Sequence, residues 1–104
     1  MSGGNDIIHQ AVRLRIMAAL NALDAGAAIE FVRLKAVVET TDGNLGSHLE
    51  ALERAGYVAL DKRFVGRKPM TRVSATPTGR RAFAEHVAYL REILDIGAPK
   101  GGSG

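Results

Sequence analysis

Thr40-Thr41-Asp42-Gly43-Asn44-Leu45-Gly46-Ser47-His48-Leu49-Glu50-Ala51-Leu52-Glu53-Arg54-Ala55-Gly56-Tyr57-Val58 is a helix written with its own start and stop. Thr41 is placed to cap it, because a hydroxyl there accepts one of the backbone N–H groups that the first turn leaves free. Asp42 beside it complements the positive end of the helix dipole. Leu45, Leu49 and Leu52 recur at i, i+4 and i+7, which predicts a helix over roughly 42 to 55 with a narrow buried stripe. Gly56 suits the left-handed position after the last turn. Tyr57-Val58-Ala59-Leu60 then begins a strand. The face opposite the leucines carries Gly43, Asn44, Ser47, Glu50, Ala51 and Arg54, so its N-terminal half is small and hydrogen-bonding.

Downstream, residues 57 to 64 alternate loosely, Val65-Gly66-Arg67-Lys68-Pro69 reads as a turn, and Met70 to Ala75 returns as a second strand. Thr76-Pro77 is a helix start, a capping hydroxyl followed by proline at the first helical position. That last helix should run to about Ile96, where Gly97-Ala98-Pro99 stops it. Residues 98 to 104 are expected to be a flexible tail, leaving residues 1 to 97 as one domain. Upstream, Ile8, Val12, Ile16, Ala19, Leu20 and Leu23 predict a first helix over roughly 7 to 24, ended by Gly26. Residues 28 to 31 suit one short edge strand, and Phe31 to Val38 a short second helix with Leu34, Val37 and Val38 inward.

Charge is distributed unevenly. The formal net charge of the 104 residues is only +3. Yet Lys62, Arg63, Arg67, Lys68, Arg72, Arg80 and Arg81 fall between residues 62 and 84, where there is no Asp or Glu. One sign gathered in one segment is an electrostatic footprint for a polyanion. Hydrophobic residues at 46% and charged residues at 24% are ordinary for a globular chain with one core. No apolar run is long enough to span a membrane. The first six residues lack the basic and apolar regions of a secretory signal, so a cytoplasmic location is expected. Without cysteine there is neither a disulfide nor a thiolate metal site.

The order helix, short strand, helix, helix, hairpin, long helix is mostly helical α+β. In that order the run Thr41-Asp42-Gly43-Asn44-Leu45, His48-Leu49, Leu52-Glu53 and Ala55-Gly56-Tyr57-Val58 closely resembles small stand-alone winged-helix transcriptional regulators related to the MarR and ArsR groups. Lys62, Phe64, Gly66-Arg67, Pro69 and Thr71 match the wing of those proteins. Thr76, Gly79-Arg80 and Ala82-Phe83 match the start of their last helix. The resemblance spans roughly residues 8 to 95. It departs at Gly46, where serine is usual, and Ser47 fills a variable position.

The resemblance implies a winged helix-turn-helix that binds double-stranded DNA. Asn44 and Ser47 are the leading base readers, because Asn pairs bidentately with adenine and Ser donates or accepts. His48 and Gly43 complete the base-reading set, although His48 is equally a half-buried histidine beside Leu52. Arg67 and Lys68 at the wing tip, with Lys62, Arg63, Arg72, Thr40, Thr41 and Lys35, are the candidate phosphate contacts. DNA contact by Arg80 or Arg81 is less expected than not. Gly46 suggests close approach to a phosphate or a neighbouring helix.

The last helix shows two apolar stripes. Phe83, Val87, Leu90 and Leu94 are assigned to the domain's own core. Ala82, His86, Tyr89, Ile93 and Ile96 are assigned to a homodimer interface, suited to a palindromic operator. Without a further surface or domain for recruiting polymerase, the expectation is a repressor. An unidentified small-molecule effector would fit between the terminal helices and the core, though no residue set specifies one. No cofactor, metal or membrane partner is expected. His9, His48 and His86 lie on separate helices and no nucleophile or paired-carboxylate pattern occurs, so the chain is not read as an enzyme. Two further readings stay open: a winged helix whose basic wing docks on an acidic protein, and a non-specific chromosome-binding protein.

Overall fold

The computed structural model describes residues 4–97, and the expected tail of residues 98–104 lies outside them. Helix α1 is Ala11–Asn21, strand β1 Ile29–Glu30, helix α2 Phe31–Val38 and helix α3 Asp42–Arg54. Strands β2, Val58–Val65, and β3, Lys68–Ala75, form the hairpin, and helix α4 is Pro77–Ile96. The sheet is antiparallel in the order β1-β3-β2. This is a winged helix with α3 as the second helix of its helix-turn-helix.

Helix α3 forms for the local reasons read from its sequence. The Thr41 hydroxyl accepts the Asn44 N–H at 3.2 Å, and Leu45, Leu49 and Leu52 are buried. Gly56 takes a φ of 81° while the Tyr57 N–H donates to the Leu52 carbonyl at 2.9 Å. The turn between α2 and α3 is less ordinary. Glu39 adopts φ 55° and ψ 56°, a left-handed conformation uncommon outside glycine, Asn and Asp, and that residue reverses the chain between the two helices.

Three boundaries differ from expectation. Helix α1 starts at Ala11 rather than near residue 7, because the Asn5 carboxamide oxygen accepts the N–H groups of Ile7 and Ile8, both at 3.0 Å. That makes a separate turn of residues 5 to 8, and the Gln10 side chain caps α1. Ile8 is nevertheless fully buried. At its other end α1 stops at Asn21, so Gly26, at φ 82°, lies beyond the helix and is not its C′ residue.

The hairpin turn is two residues, not five. Val65 pairs with Lys68 across Gly66 and Arg67, with Gly66 alone at positive φ, which is the pattern of a type II′ turn. Pro69 therefore lies inside β3, opposite Phe64. The strand tolerates it because β1 reaches only Arg72 and Val73, so β3 has one free edge at Pro69.

The core is built from Ile8, Ile16, Met17 and Leu20, from Leu34 and Val38, from the α3 leucines, and from Val58, Val73, Ala75 and Ala82. Helix α4 seats on this body through Gly79. A Cβ there would lie 2.0 Å from the Tyr57 carbonyl oxygen, so only glycine lets the helix approach. The Thr76 side chain accepts the Gly79 N–H at 2.9 Å, and the Thr76 N–H donates to the Tyr57 carbonyl at 3.0 Å.

That seat corrects the assignment of the two α4 stripes. Ala82 and His86, expected at a dimer interface, face inward with Gly79 and are buried within the protomer. Tyr89 is half-buried, its ring stacked on His86 at 5.8 Å. Leu94, expected in the core, is exposed with Ile93 and Ile96, because the helix outruns the body it packs on.

Candidate nucleic-acid interface

The face of α3 opposite the buried leucines is open. Gly43, Asn44, Ser47, Glu50 and Arg54 are all exposed. Spacing puts Asn44 and Ser47 on one side of the first two turns. The backbone there has room on its outer side, since a Cβ at Gly43 or Gly46 would meet nothing within 4 Å. For Gly46 this removes one of its two expected roles: among the described residues no neighbouring helix approaches it.

His48 is half-buried and accepts the Arg13 Nε–H at its Nδ1, 3.1 Å away. Burial first, and the Arg13 charge second, hold its pKa below the ordinary 6.5. Both expectations for this residue thus have a basis in the geometry, since it packs at the stripe's edge and still reaches the surface.

The basic residues separate into several kinds. Lys62, Arg67 and Lys68 are exposed on the wing. Strand alternation puts Lys62, Phe64, Pro69 and Thr71 on the face that carries Val58, Leu60, Val73 and Ala75 into the core. Arg63 and Arg72 lie on the other face, with Asp61. Arg63 forms an ion pair with Asp61, and the register places Arg72 between Asp61 and Glu30. Lys35 holds Asp42 of α3 at 2.7 Å. These three candidate phosphate contacts therefore have acidic neighbours in the protein, which lowers the field they offer to DNA.

Thr41 is exposed and Thr40 half-buried, both at the mouth of α3, and the Thr41 oxygen already serves as the cap. Arg80 turns inward. Its Nη2 donates to the carbonyls of Leu23 at 2.9 Å and Asp24 at 3.0 Å, closing the C-terminal end of α1. Arg81 stays on the surface beside Thr78.

Two residues escaped the sequence reading. Asn5 joins distant parts of the chain: its N–H donates to His86 Nδ1 at 3.0 Å and its carboxamide to the Tyr57 hydroxyl at 2.9 Å. Arg13 links α1 to α3 through His48, and its Nη1 reaches the Ile7 carbonyl at 3.4 Å. Neither has a local signature beyond an Asn ahead of an apolar pair. Phe64, known only as a wing position, is 73% exposed near the tip.

No group of three or more His, Asp or Glu arranged to hold a metal occurs among the described residues. Nor is any described helix long and apolar enough to cross a membrane.

Residues 12–94 match the family profile of the winged helix DNA-binding domain. An uncharacterized protein from Methanocaldococcus jannaschii is 37% identical over 90 residues, which are 86% of this chain and 91% of that protein. A transcriptional regulator homologue protein from Pyrococcus horikoshii OT3 superposes with a TM-score of 0.75 at 31% identity, covering 86% of this chain and 85% of the other. A transcriptional regulator of the MarR family from Silicibacter pomeroyi gives a TM-score of 0.67 over 90% of this chain and 62% of its own. At 21% identity that last likeness concerns the fold alone.

Proposed function

The chain belongs to the winged helix DNA-binding domain family, and from that premise we propose that it is a sequence-specific transcriptional regulator acting as a homodimer on double-stranded DNA. The observation that carries this reading is the open, small-residue face of α3. Asn44 and Ser47 stand exposed on it, turned away from the stripe that anchors the helix. A major groove about 12 Å wide admits such a helix, and these side chains offer the hydrogen bonds that distinguish base edges. The wing supplies Lys62, Arg67 and Lys68 for the sugar-phosphate backbone, which sets register and affinity without reading sequence.

The distal part of α4 supports the homodimer. Ile93 is 43%, Leu94 72% and Ile96 85% exposed, an apolar patch on a helix end that the protomer's own body does not cover. Pairing two such ends covers both patches symmetrically and sets two recognition helices against a palindromic operator. This interface is shorter than the full helix stripe, since Ala82 and His86 are engaged inside the protomer. Repression is the simplest output, because a dimer seated on a promoter excludes polymerase by occupancy alone.

Selection of bound sites from random duplexes tests the whole reading at once. The expected result is a palindrome with half-sites about one helical turn apart. Asn44→Ala should change the preferred sequence, while Arg67→Ala should weaken all sequences alike. If Asn44→Ala and Ser47→Ala both leave the preference intact, base reading by α3 is wrong. Light scattering at micromolar concentration should give a dimer mass, and a monomer would refute the α4 interface.

A further inference from the structure

One side chain on α3 has its chemical state set from outside the helix. The Nδ1 of His48 lies 3.1 Å from the Arg13 Nε, and a guanidinium can only donate, so Nδ1 must be the nitrogen without a proton. A neutral imidazole in that contact carries its hydrogen on Nε2. Protonating Nδ1 would turn the bond into two opposed N–H groups and place two cations together. Arg13 is itself held, because its Nη1 donates to the Ile7 carbonyl in the turn that Asn5 organises.

Among the described residues the Arg80 Nε is the buried side-chain nitrogen or oxygen that lacks a partner, so His48 Nε2, which bonds to no described residue, is within reach of water. His48 also follows Asn44 by four residues, which makes the two neighbours on the helix surface.

We propose that Arg13 is a positioning residue that presents His48 to the DNA major groove as a neutral Nε2–H donor. The ring would then read a hydrogen-bond acceptor on a base edge: guanine N7 or O6, adenine N7 or thymine O4. The inference rests on the DNA-reading function above and adds a polarity to it. Asn44 and Ser47 can donate or accept, whereas His48 so held can only donate at its outer nitrogen. A fixed donor discriminates against an amino group at the same place, which a histidine free to change tautomer would tolerate.

The test has one arm on the free protein and one on DNA. Long-range proton–nitrogen NMR correlations of the imidazole should show a single Nε2–H tautomer for His48 in the wild-type protein. Arg13→Met, which keeps the apolar stem and loses the donor, should give mixed tautomers and a ring that protonates at higher pH. In site selection, His48→Leu should cut discrimination at one base pair of each half-site about five-fold, the worth of one net hydrogen bond. His48→Gln carries an amide donor close to the position of Nε2 and should restore part of it, and Arg13→Met should fall between wild type and His48→Leu. An Nδ1–H tautomer in the wild-type protein overturns the proposal. So does a His48→Leu variant that weakens all sequences equally, which marks a phosphate contact, or one that leaves selection unchanged. A wild-type protein that selects no sequence refutes the proposed function and this assignment with it, whatever the tautomer.

Discussion

Among the described residues three glycines lie in helices, and alanine at each should have a different consequence. At Gly79 the new methyl carbon would lie 2.0 Å from the Tyr57 carbonyl oxygen and 2.8 Å from its carbon. Ordinary contact begins at 3.4 Å, so the start of α4 must retreat by more than an ångström from the start of β2. That shift breaks the Thr76 N–H bond to the same carbonyl, now 3.0 Å long. Overpacking against rigid backbone costs about 1–3 kcal/mol, and one lost hydrogen bond about 1 kcal/mol. The gain in helix propensity, about 1 kcal/mol in a helix interior, offsets only part.

Gly79→Ala should therefore destabilise by about 1–3 kcal/mol net, lowering the Tm of a domain of this size by roughly 5–20 °C. At Gly46 nothing lies within 4 Å, so Gly46→Ala should stabilise the fold by up to about 1 kcal/mol. Gly43→Ala, in the first turn, should be close to neutral. Urea and thermal unfolding by circular dichroism measure all three. A Gly79→Ala protein as stable as wild type would refute the packing argument for the α4 seat. If Gly46→Ala unfolds more easily than wild type, the open space beside that residue is wrong. A Gly46→Ala protein that is more stable yet binds DNA less well would locate the reason for this glycine in the complex.

Four other outcomes follow from the same coordinates. Burial and the neighbouring His9 depress the His86 pKa, so the unfolded chain binds the extra proton first; stability should be fully present above pH 6.5 and fall as pH drops below it, measured as the urea midpoint from pH 8 to 5, with His86→Asn flattening the profile. Arg80→Met removes charged hydrogen bonds to the end of α1 and should cost about 2 kcal/mol in the same assay, with Arg80→Lys intermediate. Arg67→Ala should reduce the slope of log affinity against log salt by about 0.9 if the guanidinium meets one phosphate, and an unchanged slope would remove Arg67 from the interface. Leu94→Lys should turn the proposed dimer into a monomer by sedimentation without lowering the unfolding midpoint of the protomer, and a persisting dimer would place the interface elsewhere.

Most readings that depend on short stretches of chain agree with the coordinates, but Gly26 does not end α1, and Val37, expected inward on α2, is exposed. Thr41 and Thr76 cap their helices, Gly56 ends α3, the leucines of α3 are buried, and α4 spans Pro77–Ile96. The reason is physical. A cap, a helical period and a left-handed glycine act over a few residues, so their causes are present in the stretch being read. The wing is visible as alternation, but its turn reads longer than it is because Pro69 suits a turn as well as an edge strand. Gly66 ahead of Arg67 fits a two-residue turn.

Other features depend on residues far apart, and no local pattern carries them. Seven basic residues without an acid looked like one continuous patch. Folding sends Arg80 to the end of α1 and pairs Arg63 with Asp61, and on α2 it joins Lys35 to Asp42. Tertiary structure also chose which stripe of α4 the protomer covers. Both stripes are apolar, and the choice was made by a glycine's contact with the Tyr57 carbonyl and by Asn5 bonding to His86 across 81 positions. The amino-acid order alone determined which helix presents small polar groups outward, because amphipathic spacing is intrinsic to that helix. Which charges stay free, and which faces remain for a second copy or for DNA, was decided only when distant segments competed for the same surface.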